Sequence, residues 1–306
     1  MDRRFALLVF IVMLCMGFGA CQGQVSSPPT SPLPDPKAHL LYQDSQDRFW
    51  YAGSEGLYYA KAEVLRQFTF DDGLLSYSFT GVQEDKKGVL YFDGPDGVFS
   101  FDGKRFEKLP VADDSTGVTT NWQSGPDDLL FRMGWEHSGP FRYDGSYLHH
   151  MPFPESPAEA AFRAAVPSAP YNPYGIYTMY QDSRGALWFG TASMGIYRWD
   201  GQHLSWMYEQ DLTETPAGGA FGIRSIVEDK EGYFWICKGE GKFHFLPDSN
   251  SVEGGLRRMV YKRLPGITAS ELNGVYFMSM LADLTGAIWI LSHDKGIWRY
   301  DEKGIR

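Results

Sequence analysis

The densest group of side chains able to do chemistry in this sequence is Arg132-Met-Gly-Trp135-Glu136-His137-Ser-Gly. An indole beside a guanidinium, a carboxylate and an imidazole suits stacking on a flat face combined with hydrogen bonding, the requirements of a sugar or a peptide. Glu55, Asp93, Asp96, Lys238, Glu240, His293 and Asp294 add charges at corresponding places along the chain. A second chemistry uses the same groups, with His137 or His293 moving a proton and Glu136, Glu55 or Asp294 orienting the imidazole. No nucleophile or metal constellation accompanies them, so binding is preferred over catalysis and no catalytic residue is assigned. Trp135 itself either projects from its loop or folds over a sheet edge as local packing.

Other candidates carry less. His149-His150 lacks metal-site spacing and reads as a solvent-facing strand pair. The recurring Asp44, Asp85, Asp182, Asp229 and Asp283 place one carboxylate per turn, whereas calcium demands six to eight oxygens, so these are turn residues and no metal is expected. Cys237 reads as a small buried hydrophobe. Neither GxGxxG nor a Walker sequence occurs, and no cofactor is expected. With 38 acidic and 28 basic residues, a net charge of −10 and no Lys/Arg cluster, nucleic acid is a poor partner.

What must position the candidate residues is a repeat. Composition already points to short elements and tight turns, with 34 Gly, 18 Pro and 22% charged residues among 306. Six copies share a spacing: Asp44-Ser-Gln-Asp47-Arg-Phe-Trp50, Asp85-Lys-Lys-Gly88-Val-Leu-Tyr91, Gly125-Pro-Asp-Asp128-Leu-Leu-Phe131, Asp182-Ser-Arg-Gly185-Ala-Leu-Trp188, Asp229-Lys-Glu-Gly232-Tyr-Phe-Trp235 and Asp283-Leu-Thr-Gly286-Ala-Ile-Trp289. A second half opens at Gly56, Gly97, Gly139, Gly195, Gly241 and Gly296. An Asp closing a strand accepts the amide two residues on, and Gly three residues later supplies a positive φ, which makes a tight hairpin. Asp47 and Asp128 replace that Gly with a residue tolerant of the left-handed region. The anchor aromatic then opens the second strand and buries against the neighbouring unit. Asp102-Gly103, Asp144-Gly145 and Asp200-Gly201 signal a further hairpin into a fourth strand such as Arg105 to Leu109.

Four antiparallel strands in about 40 residues, repeated, form the unit of a β-propeller. The expectation is an all-β fold, a six-bladed β-propeller of four-stranded antiparallel blades over residues 39–306. Innermost strands fall ten residues before each anchor, at Leu40, Gly81, Asn121, Thr178, Ser225 and Ser279. The candidate residues belong to the loops joining second to third strands and blade to blade. Helix is expected only at Ala158 to Ala165, within the Pro-bounded stretch from Pro152 to Pro173.

The beginning of the chain is different. Arg3 and Arg4 precede an apolar run from Phe5 to Met16, then Gly17, Gly19, Ala20 and Cys21, the order of a secretory signal. Residues 1–20 are expected to be removed, the alternative being an uncleaved anchor helix, and residues 21–38, with VSSPPTSPLPDP, to form an extended tether. Cys237 then remains without a disulfide partner.

Two resemblances sharpen these expectations. Phe18-Gly19-Ala20-Cys21 resembles a bacterial lipobox, which implies acylation of Cys21, with palmitate among the chains, and a bilayer as partner. The segment DSRGALWFGTASMGIYRWDG, Asp182 to Gly201, resembles the two-component regulator propeller repeat, and the likeness runs from about 39 to 303. In that family the repeats often form extracytoplasmic sensors of membrane histidine kinases, commonly as paired propellers recognising glycans. This sequence shows no membrane helix or kinase segment after the repeats, and six copies where sensors often have sevenfold blades. A stand-alone lipoprotein of the bacterial envelope is implied, on the periplasmic side of the outer membrane, binding a glycan, a peptide or an envelope protein. The alternative is an enzyme similar to streptogramin lyases, a lyase or hydrolase with acid and base groups on the long-loop face.

Overall fold

A computed structural model describes residues 35, 38–62, 64–113, 122, 128–214, 221–237, 241–267, 277–283, 285–292, 295–301 and 303–305. The chain is a six-bladed β-propeller of antiparallel blades. Blade 1 is β1 (His39–Gln43), β2 (Phe49–Gly53), β3 (Gly56–Lys61) and β4 (Val64–Phe68). Blade 2 is β5 (Gly81–Glu84), β6 (Leu90–Gly94), β7 (Gly97–Phe101) and β8 (Phe106–Lys108). Blade 3 shows β9 (Leu129–Phe131), β10 (Phe141–Tyr143) and β11 (Leu148–His150). Its innermost strand, expected at Asn121, lies outside the described residues. Blade 4 is β12 (Ile176–Gln181), β13 (Leu187–Thr191), β14 (Ile196–Trp199) and β15 (Leu204–Met207). Blade 5 begins with β16 (Ile226–Glu228), β17 (Phe234–Ile236) and β18 (Gly241–Leu246). The short hairpin β19 (Val252–Glu253) and β20 (Leu256–Arg258) precedes its outer strand β21 (Val260–Pro265). Blade 6 is β22 (Phe277–Ala282), β23 (Ile288–Ser292), β24 (Ile297–Asp301) and the two-residue β25 (Gly304–Ile305).

The repeated Asp does more than close a turn. In blade 4, Asp182 Oδ1 accepts the backbone N–H of Arg184 at 3.0 Å and of Ala186 at 2.8 Å. Its Oδ2 accepts the Trp188 indole N–H at 2.9 Å. Blades 1, 5 and 6 repeat this, with indole-to-carboxylate distances of 2.8 Å at Trp50–Asp44, Trp235–Asp229 and Trp289–Asp283. One carboxylate thus pins the turn and satisfies the only polar side-chain atom of a Trp that is buried in blades 1, 4 and 5 and half-buried in blade 6, so the spacing from Asp to Trp is a hydrogen-bond length constraint. In blade 2 the partner is the Tyr91 hydroxyl, at a longer 3.4 Å. Gly88, Gly185, Gly232 and Gly286 all take φ between 80° and 87°, and Asp47 takes φ 60° in the position of Gly. Asp128 pairs with Arg142 at 3.1 Å.

The described residues divide into two compact units. In the first, which holds the strands of blades 1–3, Trp50 lies fully buried with its ring 5.0 Å from Phe92 and 5.3 Å from Phe101 of blade 2. Tyr91 meets Phe131 and Tyr143 of blade 3. The second unit holds blades 4–6 with Trp122 and the short segment 135–139. There Trp188 packs on Phe234 and Phe245 of blade 5, and Trp235 on Tyr300 of blade 6. Each such ring removes on the order of 150–250 Å² from water, or about 4–6 kcal/mol of transfer free energy.

A second device joins blades in both units. Glu84, one residue before the blade 2 Asp, accepts the backbone N–H of Ser45 at 2.8 Å and also its hydroxyl. Glu228 of blade 5 takes the N–H of Ser183 at 2.7 Å and its hydroxyl at 2.9 Å. The Ser follows the Asp of the preceding blade, so the turn of one blade is tied to the innermost strand of the next.

Blade 4 departs from four strands. The excursion of blade 5 crosses to it, β20 pairing in parallel with β15 through Ser205↔Arg257 and Trp206↔Arg258, which gives a six-stranded sheet. The hairpin covers an edge whose amides and carbonyls are otherwise unpaired. Helix α1 (Glu159–Ala165) falls where expected, whereas α2 (Gln210–Thr213) carried no recognisable signal.

Candidate functional site

The most functionally dense loop joins β9 to β10. Its root is buried. Asp93, at the end of β6 and 3% exposed, accepts the backbone N–H groups of Arg132 at 3.0 Å and Met133 at 2.9 Å. Arg132 donates through Nη2 to the Thr80 carbonyl at 3.2 Å. Burial pushes the Asp93 carboxyl up, with the Arg132 guanidinium and the two amides opposing it. Burial lowers Arg132 in turn, with Asp93 opposing. Met133 at φ 52° and Gly134 at φ 82° then reverse the chain. Gly134 lies against Pro95 beside the exposed Asp96, where an added Cβ would approach the Pro95 Cα to 3.1 Å. Asp93, expected among the ligand-facing groups, therefore shapes the loop from inside, and the half-buried Arg132, expected there too, is tied back to Thr80.

The tip is open. Trp135 is 51% exposed, Glu136 is exposed and His137 half-buried. Trp135 thus projects and does not fold over a sheet edge. Burial holds the His137 imidazole below its usual value, the Glu136 carboxylate opposing, so His137 is neutral near pH 7. The tip is fixed by Tyr171-Asn172-Pro173-Tyr174-Gly175, which begins at the end of the Pro-bounded stretch from Pro152 to Pro173. Asn172 Nδ2 donates to the Glu136 carbonyl at 2.8 Å, and Asn172 Oδ1 accepts the Tyr174 N–H at 2.9 Å. Gly175 passes so close that a Cβ there would stand 2.4 Å from the Trp135 carbonyl oxygen. Ser193 and Ala192, on the β13–β14 turn, donate their N–H groups to the carbonyls of Pro173 and Gly175, and the Tyr171 hydroxyl meets Ser193 Oγ at 3.0 Å. The Asn-Pro turn signal was visible in the sequence, but its contact with Glu136 was not.

The remaining residues fall elsewhere. Glu55 is exposed at the tip of the β2–β3 turn, its carbonyl accepting from Gln67. Beside it Asp35, assigned to the tether, is buried and accepts both the N–H and the hydroxyl of Ser54. Lys238, Glu240, His293, Asp294 and the lipidation candidate Cys21 lie outside the described residues. Of the metal candidates, His149 pairs with Asp144 at 2.8 Å and His150 stacks on Phe141. Cys237 is fully buried at φ 53°, its thiol facing the Gly222 carbonyl at 3.6 Å.

Comparison with known proteins bears on the scaffold. No curated protein matches the chain. Among solved structures, the extracellular domain of a putative one component system from B. thetaiotaomicron aligns at 17% identity and TM-score 0.54. It covers 88% of this chain and 32% of that one, so this chain spans about a third of that relative. PorZ, a surface component of the type-IX secretion system of Porphyromonas gingivalis, aligns at 13% identity and TM-score 0.51, covering 89% and 42%. An inactive virginiamycin B lyase from Staphylococcus aureus aligns at 13% identity and TM-score 0.51, covering 92% and 85%. At such identities the likeness is one of fold. Residues 170–193, which include the Asn172 turn, β12, the Asp182 clamp and β13, match the family model described as two component regulator propeller. That match makes residues 170–193, with the first two strands of blade 4, similar to a two component regulator propeller repeat.

Proposed function

We propose that this chain is a non-catalytic recognition module, held on a bacterial envelope by acylated Cys21 and binding a glycan, peptide or envelope protein through its long-loop face. The observation that carries this reading is Trp135, a large ring kept half in solvent on a loop that is fixed at its root and at its tip. Exposing an indole costs hydrophobic free energy, and pre-organising it removes the ordering cost that a ligand would otherwise meet. The extracellular placement of the sensor-type relative and the surface placement of PorZ support an extracytoplasmic address. The signal at 1–20 and the tether at 21–38 belong to the same reading.

Trp135→Ala tests it, because the side chain is exposed and its loss leaves the fold intact. Retention of envelope polysaccharides and proteins on the immobilised chain should fall about 10-fold or more, as for a central aromatic anchor. Equal retention by both forms would refute the site, and chemical conversion of the retained molecule by the unaltered chain would refute the non-catalytic reading. Metabolic labelling with a palmitate analogue should mark the chain and fail on Cys21→Ser.

A further inference from the structure

A cavity of about 400 Å³ opens in the second unit, away from the Trp135 loop and lined by Trp122, Pro154, Trp199, His203, Leu204 and Arg257. Its volume is that of a small-molecule pocket. The two indoles make an angled wall, their rings 5.7 Å apart and tilted by 45°. Trp122 is fixed by stacking on Phe153 and by donating to the Pro152 carbonyl at 3.1 Å. Arg257 reaches this place only because β20 crosses to the edge of blade 4 and pairs with Ser205.

Two guanidiniums, Arg198 and Arg257, and two carboxylates, Asp200 and Asp248, lie here, and Asp248 Oδ1 is buried without a donor. Asp248 is engaged by Arg198 at 2.6 Å and by the Ser205 hydroxyl. Asp200 accepts the turn amides of Gln202 and His203 and lies 3.7 Å from the His203 ring. Arg257 has no carboxylate partner among the described residues, and its Nε is buried without an acceptor. Arg257 lines the cavity, and a guanidinium without a carboxylate partner most readily takes one. Flat apolar walls beside an unpaired cation select a ligand with an aromatic ring next to a carboxylate.

We infer that the Trp122–Trp199–Arg257 cavity is a second binding site, independent of the Trp135 loop, for a carboxylate carried beside an aromatic ring. Two sources supply that chemistry, a free aromatic acid and the C-terminal residue of a peptide. The test is calorimetric titration of the full chain with N-acetylphenylalanine and with its uncharged amide. Phenylacetate and N-acetyl-Ala-Ala-Phe are titrated alongside, to separate the free acid from the chain terminus. The carboxylate should bind at least 10-fold more tightly than the amide, the difference expected of a charge-assisted hydrogen bond. Arg257→Gln should abolish that preference. Val252→Glu, at a 58% exposed position on the rim where folding is not at stake, should weaken the carboxylate and spare the amide. Trp135→Ala should leave both titrations unchanged. Equal binding of acid and amide, no heat from either at 10 mM, on the order of the weakest useful affinity, or a preference that survives both Arg257→Gln and Val252→Glu would overturn the inference.

Discussion

The Asp-to-indole clamp makes a quantitative prediction in blade 4. Asp182→Ala removes an acceptor shared by three donors, the amides of Arg184 and Ala186 and the Trp188 indole, at 2.8–3.0 Å. The two amides belong to a surface turn and recover water, so each loss costs about 0.5–1 kcal/mol. The indole does not recover. Trp188 is 1% exposed, and a stranded buried donor costs about 1–3 kcal/mol. The sum is about 2–5 kcal/mol. Asp85→Ala in blade 2 is the internal control, because it loses the amides of Lys87 and Val89 but only a 3.4 Å contact from Tyr91. Its cost should be about 1–2 kcal/mol. Urea unfolding followed by circular dichroism reads both, provided the m-value is unchanged. A double-mutant cycle of Asp182→Ala with Trp188→Phe should return a coupling of about 1.5–3 kcal/mol. The reasoning fails if Asp85→Ala costs as much as Asp182→Ala, or if the coupling is near zero.

Three further outcomes follow from the same geometry. Acid should erode stability in a defined window. Hydrogen bonds from the Tyr147 and Ser146 amides and from His149 hold Asp144 down to about 2, and Asp283 is also lowered, its bonds from Thr285, Trp289 and the turn amides outweighing burial. A depressed folded value means that the stabilisation is complete above the unfolded value of about 4 and is lost as pH falls towards 2, which a urea midpoint measured from pH 6 to pH 2 will show. Glu228→Gln keeps the side-chain length but loses the charge on the Ser183 staple, and should lower stability by about 0.5–1 kcal/mol, read by the same unfolding curves. Gly175→Ala should displace the Trp135 loop, shifting Trp135 fluorescence relative to a Trp135→Phe reference while the circular dichroism spectrum stays the same.

Much of the scaffold is legible because each copy repeats a local requirement. Asp, Gly and an aromatic at fixed spacing encode a turn and the ring that follows it, and the structure adds that the indole N–H closes on the same carboxylate. That closure runs from strand to turn across six residues, a distance that turn rules do not address. The Ser45–Glu84 and Ser183–Glu228 ties leave no local signal for a related reason, since their partners stand 39 and 45 residues apart and only blade stacking brings them together. At the candidate site, residue type identified the loop but not its inside and outside. Asp93 and Arg132 look like ligand groups in sequence, yet burial and mutual neutralisation make them its foundation. Asn172, which fixes the exposed tip, is uncharged and sits at the end of the Pro-bounded stretch from Pro152 to Pro173. The β19–β20 hairpin carries a Gly254-Gly255 turn signal, but its parallel pairing onto another blade leaves no mark on local periodicity.

The proposed function requires that the long-loop side of the blades meets the partner. A photoreactive amino acid at Glu136, exposed on the loop tip, and at Arg184, exposed on the Asp182 turn, compares the two ends of the strands in living cells. Adducts formed from position 136 and absent from position 184 are the expected result. Adducts only from 184, or none from 136 in cells that hold the chain at its natural level, would contradict it.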